Sequence, residues 1–100
     1  MKRKWGRYIT LFRCKRFALK LLIFTNRLGV QRHFNRSEWW LVLFGRGVAV
    51  INDEPRMIGF LDSVTVNVRS WHNFIPTTRY AVLFEVQWGS HVSEEDIERA

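Results

Sequence analysis

Four residues stand out by type and spacing: Gln31, His33, Glu38 and His72. Gln31 and His33 are two apart in a predicted strand, so their side chains emerge on one face. Glu38 follows after Phe34-Asn35-Arg36-Ser37, a gap long enough for a turn into the next strand. His72 comes much later, just after another predicted strand. Two imidazoles and one carboxylate on a common face, with an amide oxygen beside them, suit a divalent transition metal that keeps open positions for water or substrate. Taken singly, each of the four is also what a hydrogen-bonded interior polar residue looks like, and spacing by itself leaves that reading open.

The elements that must position these residues are strands. Tyr8–Phe12 is a β-rich run, and Phe17–Phe24 alternates loosely, so that pattern alone does not separate strand from helix. Asn26-Arg27-Leu28-Gly29 marks a turn before Val30–His33. Trp39–Phe44 is an apolar run closed by Gly45, and Gly47–Ile51 leads to a turn at Asn52-Asp53-Glu54-Pro55. Ser63–Val68 alternates with period two, and Tyr80–Gln87 places Val82, Phe84 and Val86 on one face. About seven to nine short strands at roughly ten-residue spacing predict a sandwich or barrel. Only the tail reads as helix: Ser93 with Asp96 three residues on resembles a capping box, and acids in a first turn suit the helix dipole. A short helix is therefore expected near residues 93–99.

With 100 residues, 47% of them apolar, the chain has material for one domain, residues 1–100, and one core. Five Trp and eight Phe favour a core of large side chains. The formal charge of +7 is uneven: residues 1–37 hold eleven Lys and Arg and no acid, whereas residues 38–100 hold five basic and nine acidic residues. Such a gradient fits a small anionic ligand, a nucleic acid or simply solvated strand faces. The basic residues alternate with apolar ones and lack an aromatic-basic RNP pattern, so nucleic acid is not the expected partner. Cys14 is alone, which excludes an intrachain disulfide and any CxxC zinc pattern. A reducing, cytoplasmic setting is expected. Phe17–Phe24, interrupted by Lys20, is too short for a membrane span and lacks a cleavage site after it. No Gly-rich phosphate loop and no Ser/His/Asp arrangement is visible.

The spacing Gln31-x-His33-x4-Glu38-x6-Gly45 resembles the first cupin motif, in which His-x-His-x4-Glu-x6-Gly supplies three metal ligands; His72 falls where the second motif supplies a fourth. The wider pattern, Trp5-Gly6-x-Tyr8, then Val30-Gln31-x-His33-x-x-Arg36-x-Glu38-x-Trp40, then Gly45, is similar to the C-terminal cupin domain of type II phosphomannose isomerases and mannose-1-phosphate guanylyltransferases. Phe84-Glu85-Val86-Gln87-x-Gly89-Ser90 and Glu94-Glu95-Asp96-Ile97-x-Arg99 resemble that family's closing motif. The chain departs from the pattern where Phe34, Asn35 and Trp39 replace common histidines and where Asn67 and Arg69 stand in place of a Pro-x-Gly turn.

The resemblance implies an all-β, double-stranded β-helix (jelly-roll) barrel with a metal ligated by Gln31, His33, Glu38 and His72. Zinc is the first expectation, because a Gln in this set resembles the zinc-dependent phosphomannose isomerases; manganese, iron and nickel are alternatives. It implies a metal-dependent isomerase of the mannose-6-phosphate/fructose-6-phosphate type acting on a sugar phosphate or related anion. The alternative is a cupin that binds a sugar or nucleotide sugar without that reaction. Guanylyltransferase activity is set aside, since 100 residues leave no room for a nucleotide-binding domain. Arg36 is a candidate phosphate or carboxylate contact through its planar fork, with a surface or structural ion pair as the alternative. Glu85 and Gln87 are candidate pocket contacts. Trp40 and Phe44, on the face of Glu38, are expected to pack the barrel. A homodimer using the Tyr8–Phe24 region is expected from the surplus of large aromatics.

Overall fold

The computed structural model describes residues 1–100 and contains strands and no helix. The strands are β1 (Lys2–Arg3), β2 (Gly6–Cys14), β3 (Phe17–Phe24), β4 (Gln31–Arg32), β5 (Arg36–Phe44), β6 (Gly47–Ile51), β7 (Glu54–Ile58), β8 (Ser63–Val66), β9 (His72–Pro76), β10 (Ala81–Gly89) and β11 (Glu98–Arg99). One sheet runs β1-β2-β3-β10-β5-β8 and the other β11-β4-β9-β6-β7, with every pairing antiparallel. The expected two-sheet jelly roll is therefore present, and β1, β7, β9 and β11 come in addition to the runs read from the sequence.

Strand parity does most of the work. In β3, Ala18, Lys20, Leu22 and Phe24 face inward, and in β10 Ala81, Leu83, Glu85 and Gln87 do. In β5 the inward set is Arg36, Glu38, Trp40 and Val42. In β5 and β10 each set is apolar at one end and polar at the other, and in β3 Lys20 is the single polar member. The apolar ends meet the second sheet in an aromatic cluster: the rings of Phe24 and Phe74 have centroids 4.8 Å apart, and Trp40 meets Phe74 edge-on at 6.2 Å. Ala49 lies opposite Phe74 in the β6–β9 register, a small residue beside a large one. Burying such rings contributes about 1.5–3 kcal/mol each, so this half of the interior anchors the fold. The polar ends are left to line a cavity.

The turns follow their residue types. Asn52 and Asp53 both have positive φ (49° and 68°) between paired Ile51 and Glu54, the two-residue hairpin that the twist of flanking strands favours. Gly45 has φ 76°, and a Cβ there would lie 2.6 Å from the Tyr80 carbonyl oxygen, so the exit from β5 requires glycine.

Two expectations are corrected. Residues 93–99 form no helix. Asp96 N–H bonds the Ser93 carbonyl at 3.3 Å, one turn and no more, and the chain then joins β4 as β11. The Asp96 carboxylate accepts from the backbone N–H groups of Phe34 and Asn35 at 2.9 and 2.8 Å. A seven-residue helix is too short to offset its nucleation cost, and these long-range bonds win. Phe44 does not pack the barrel either. The register between β10 and β5 shifts at Val82/Leu83, which breaks alternation after Val42 and turns Phe44 outward, where it is 54% exposed and stacks on Tyr80.

Candidate metal centre and cavity

Strand register brings the motif residues together. Gln31 of β4 lies opposite His72 of β9, and His33 continues the inward parity of Gln31. Glu38 of β5 enters from the other sheet, opposite Gln87. His33, Glu38 and His72 are all buried, and one ligand atom of each lies within 4.8 Å of the others. His33 Nε2 is 3.2 Å from Glu38 Oε2, and His72 Nε2 is 3.7 Å from Glu38 Oε1. Gln31 is buried beside them on the cavity wall.

Both imidazoles are oriented by backbone carbonyls. His33 Nδ1 donates to the Asp96 carbonyl oxygen at 2.5 Å, and His72 Nδ1 donates to that of Ser70 at 3.1 Å. With Nδ1 of each ring committed to a carbonyl oxygen, Nε2 is the atom turned toward Glu38, the arrangement that orients histidine ligands in metal sites. Burial holds the His72 pKa below its ordinary value, against the pull of Glu38, so the ring stays neutral. His72 Nε2 is buried and has no hydrogen-bond partner in the protein. An orphaned acceptor facing a carboxylate is costly unless a cation joins them, so the donor set fits a divalent ion.

Arg36 is buried in the same cluster. Its Nε donates to Glu38 Oε2 at 3.0 Å, Nη2 lies 3.1 Å from His33 Nε2, and Nη1 donates to the Ser93 carbonyl at 2.8 Å. Burial by itself would raise the Glu38 pKa, but the His33 hydrogen bond and then the charge of Arg36 outweigh it and hold the carboxyl well below the ordinary range. β10 can approach this cluster because Gly89 lies opposite Arg36 in the register, where a Cβ would come within 2.1 Å of the Asn35 carbonyl oxygen.

Glu85 behaves oppositely. Burial first, then the charge of Glu38 and a hydrogen bond with it, push its carboxyl up to about 8. Its oxygens accept from Trp40 Nε1 at 2.9 Å and Gln87 Nε2 at 2.6 Å. That leaves Gln87 Oε1 as a second buried acceptor with no partner.

The cluster forms one wall of a cavity of about 310 Å3, at the lower end of the roughly 300–1,000 Å3 typical of small-molecule sites. Gln31, His33, Arg36, Glu38, Glu85 and Gln87, all expected at the site, line it; His72 backs it from the second sheet. The sequence reading missed Lys20, Glu94 and Tyr8 on the same lining. Lys20 carried a usable signal: it occupies the inward parity of β3 between Ala18 and Leu22. Trp71 does not line the cavity but stacks on Arg32, whose guanidinium carbon is 4.4 Å from its ring centroid, and Trp88 and His91 are exposed.

The sequence matches the family described as mannose-6-phosphate isomerase C-terminal over residues 1–100. It is 29% identical over 100 residues to mannose-1-phosphate guanylyltransferase ManC of Salmonella typhimurium and 30% identical over 100 residues to alginate biosynthesis protein AlgA of Pseudomonas aeruginosa. Each alignment covers 97% of this chain and 21% of the relative, so the chain spans about a fifth of the length of these curated relatives. Among solved structures, the cupin domain of Schizosaccharomyces pombe Cnp3 superposes with TM-score 0.79 at 11% identity, covering 83% of this chain and 64% of that one. The plu4264 protein of Photorhabdus luminescens superposes with TM-score 0.78 at 16% identity, covering 90% and 80%. The fold is thus an all-β cupin. No helix is long and apolar enough to cross a membrane.

Proposed function

The chain belongs to the mannose-6-phosphate isomerase C-terminal family, and from that premise we propose that it is a metal-dependent sugar-phosphate isomerase of the mannose-6-phosphate/fructose-6-phosphate type. The observation that supports this reading most is the convergence of His33, Glu38 and His72, with an unpartnered His72 Nε2, beside a cavity large enough for a hexose.

His33 and His72 would hold the ion through Nε2, Glu38 through its carboxylate and Gln31 through its amide oxygen. Zinc fits these nitrogen and oxygen donors, as do manganese, iron and nickel. A divalent ion there supplies polarisation of the substrate carbonyl during aldose–ketose interconversion. The protein's own groups do the rest. Arg36, whose fork spans Glu38, His33 and the Ser93 carbonyl, would share Glu38 and His33 with the ion and would turn its remaining N–H groups to substrate oxygens. Gln87 Oε1 accepts a hydrogen bond from a sugar hydroxyl. Glu85, protonated on the same wall, would donate a proton to the substrate oxygen on which negative charge develops, the general-acid half of the exchange between C1 and C2.

Incubation with mannose 6-phosphate should give fructose 6-phosphate in the presence of zinc or manganese, and chelator should abolish turnover. Absence of product with every one of these metals would leave the alternative, a cupin that binds a sugar or nucleotide sugar without isomerising it.

The partner in solution is proposed to be a second copy. From Ile9 onward β2 pairs only with β3, so its outer backbone edge is open, and Ile9, Leu11 and Phe12 are exposed along it. An open apolar edge favours strand addition. Light scattering at micromolar concentration should give twice the chain mass, and Leu11→Lys should return the chain mass; a monomeric wild type would overturn this assembly.

A further inference from the structure

Lys20 is 2% exposed, yet its ammonium belongs to the cavity lining. A buried lysine needs a compensating anion. Here the anion is not a neighbour in its sheet: Nζ donates to Oε1 of Glu94, 74 residues away, and lies 4.5 Å from the centroid of the Tyr8 ring. Arg13 Nη1 is 4.0 Å from the same Glu94 oxygen. Arg36 donates to the carbonyl of Ser93, the residue before Glu94, so a third cation flanks this carboxylate. Burial would raise the Glu94 pKa, but the Lys20 hydrogen bond and the charges of Lys20, Arg36 and Arg13 hold it below its ordinary value.

Glu94 differs from these cations in how it is held. Lys20 sits on the long central strand β3, whereas Glu94 belongs to the irregular stretch between β10 and β11. Its side chain is one-third exposed while that of Lys20 is 3% exposed. Lys20 and Arg36 on the cavity wall, and the exposed Arg13 outside it, therefore flank one carboxylate on a connecting segment. A phosphate monoester carries up to two charges and three acceptor oxygens, so it satisfies such a set better than a single carboxylate does.

We propose that Lys20, with Arg13 and Arg36 beside it, is the seat for the phosphate group of the substrate, and that the Glu94 carboxylate holds this seat in the free protein and leaves it when phosphate enters. The inference rests on the sugar-phosphate reading for its ligand, but its test does not depend on turnover. The ammonium is shared by the two anions in succession, so the buried charge is never left uncompensated. Glu94 also sets a threshold that an uncharged sugar cannot cross, which would make the cavity selective for phosphorylated ligands.

The test is titration calorimetry of the chain with inorganic phosphate and with mannose 6-phosphate, together with thermal unfolding in phosphate and in chloride. Removing the internal competitor with Glu94→Gln should tighten phosphate binding about tenfold, the scale of one charge-assisted hydrogen bond. The same variant should unfold at lower temperature in chloride, because Lys20 has lost its partner, and phosphate should restore it more than it raises the wild type. Lys20→Met should weaken phosphate binding about tenfold or more and leave zinc affinity unchanged. If Glu94→Gln binds phosphate no more tightly than the wild type, or phosphate fails to restore its unfolding temperature, the seat is wrongly assigned even where isomerisation occurs. If both variants behave as expected while no isomerisation is detected, the phosphate seat stands and the isomerase reading falls.

Discussion

His72→Ala should lower the affinity of the protein for zinc by at least about a hundredfold while leaving the domain folded, since even the outer-shell partners of metal ligands are worth 10–100-fold. The expectation rests on where the two ring nitrogens of His72 go. Nδ1 is committed to the Ser70 carbonyl and Nε2 to nothing in the protein, so the replacement deletes one hydrogen bond and some contact with Trp40, whose ring centroid is 5.7 Å away. The aromatic cluster of Phe24, Trp40 and Phe74 remains. His33→Ala should lose metal affinity to the same extent and also loosen the segment around Asp96, because His33 Nδ1 bonds the Asp96 carbonyl. Glu38→Gln should be the costliest of the three for the fold: it removes the carboxylate that compensates the buried Arg36 guanidinium, and breaking a buried pair costs about 3–5 kcal/mol. Calorimetric titration with zinc and thermal unfolding of the three variants separate these effects. Wild-type zinc affinity in the His72→Ala protein would remove His72 from the ligand set and the isomerase reading with it.

Without metal, the wild type should lose stability as pH rises from 6.5 to 8, and Glu85→Gln should abolish most of that loss. Glu85 carries a pKa of about 8 in the folded chain against 4.5 ordinarily, owing first to burial and then to Glu38. Between those values the folded protein retains a proton that the unfolded chain has released, so stability falls with rising pH across that interval. His72 works in the other direction. Its depressed pKa means that stability is lost as pH falls below 6.5, which leaves the interval from 6.5 to 8 to Glu85. The stability held by Glu38 and Glu94, whose values are lowered, is lost only below about 4.5. Glutamine keeps the shape of the protonated acid, with an amide that donates where the carboxyl O–H did. Denaturant unfolding in chelator at half-unit steps should show a decline on the order of a few kcal/mol for the wild type and a nearly level line for the variant. Parallel curves would mean that Glu85 is ionised in the folded protein, and the proton-holding role given to it would fail.

The all-β fold and the candidate metal site were legible in the sequence for one reason: strand parity is local. Gln31 and His33 share a face because they are two apart, and the apolar alternation of β5 and β10 identifies which face is buried. The spacing from Gln31 to Gly45 then adds the family pattern, with Gly45 required by a φ of 76° at the end of β5. Parity says which way a side chain points and nothing about what lies across from it. For that reason Arg36 read either as a phosphate contact or as half of an ion pair, and only the folded chain places it against Glu38, His33 and the Ser93 carbonyl.

The same limit governed Lys20, which looked like a break in an apolar run until β10 and the 93–99 segment closed over it. Residues 93–99 have the acids and the capping pattern of a first helical turn, and local propensity predicted one. Each of the bonds that decide their conformation, Asp96 to Phe34 and Asn35, Glu94 to Lys20 and β11 to β4, spans more than sixty residues. Such bonds form only after the two sheets have docked, and together they outweigh a helix too short to be stable alone. The sequence by itself determined the all-β class, the inward parity of β10 and of β5 as far as Val42, and the four motif residues. The tertiary structure decided which charges meet in the cavity, because cross-sheet register, which no local period encodes, sets the distance between them.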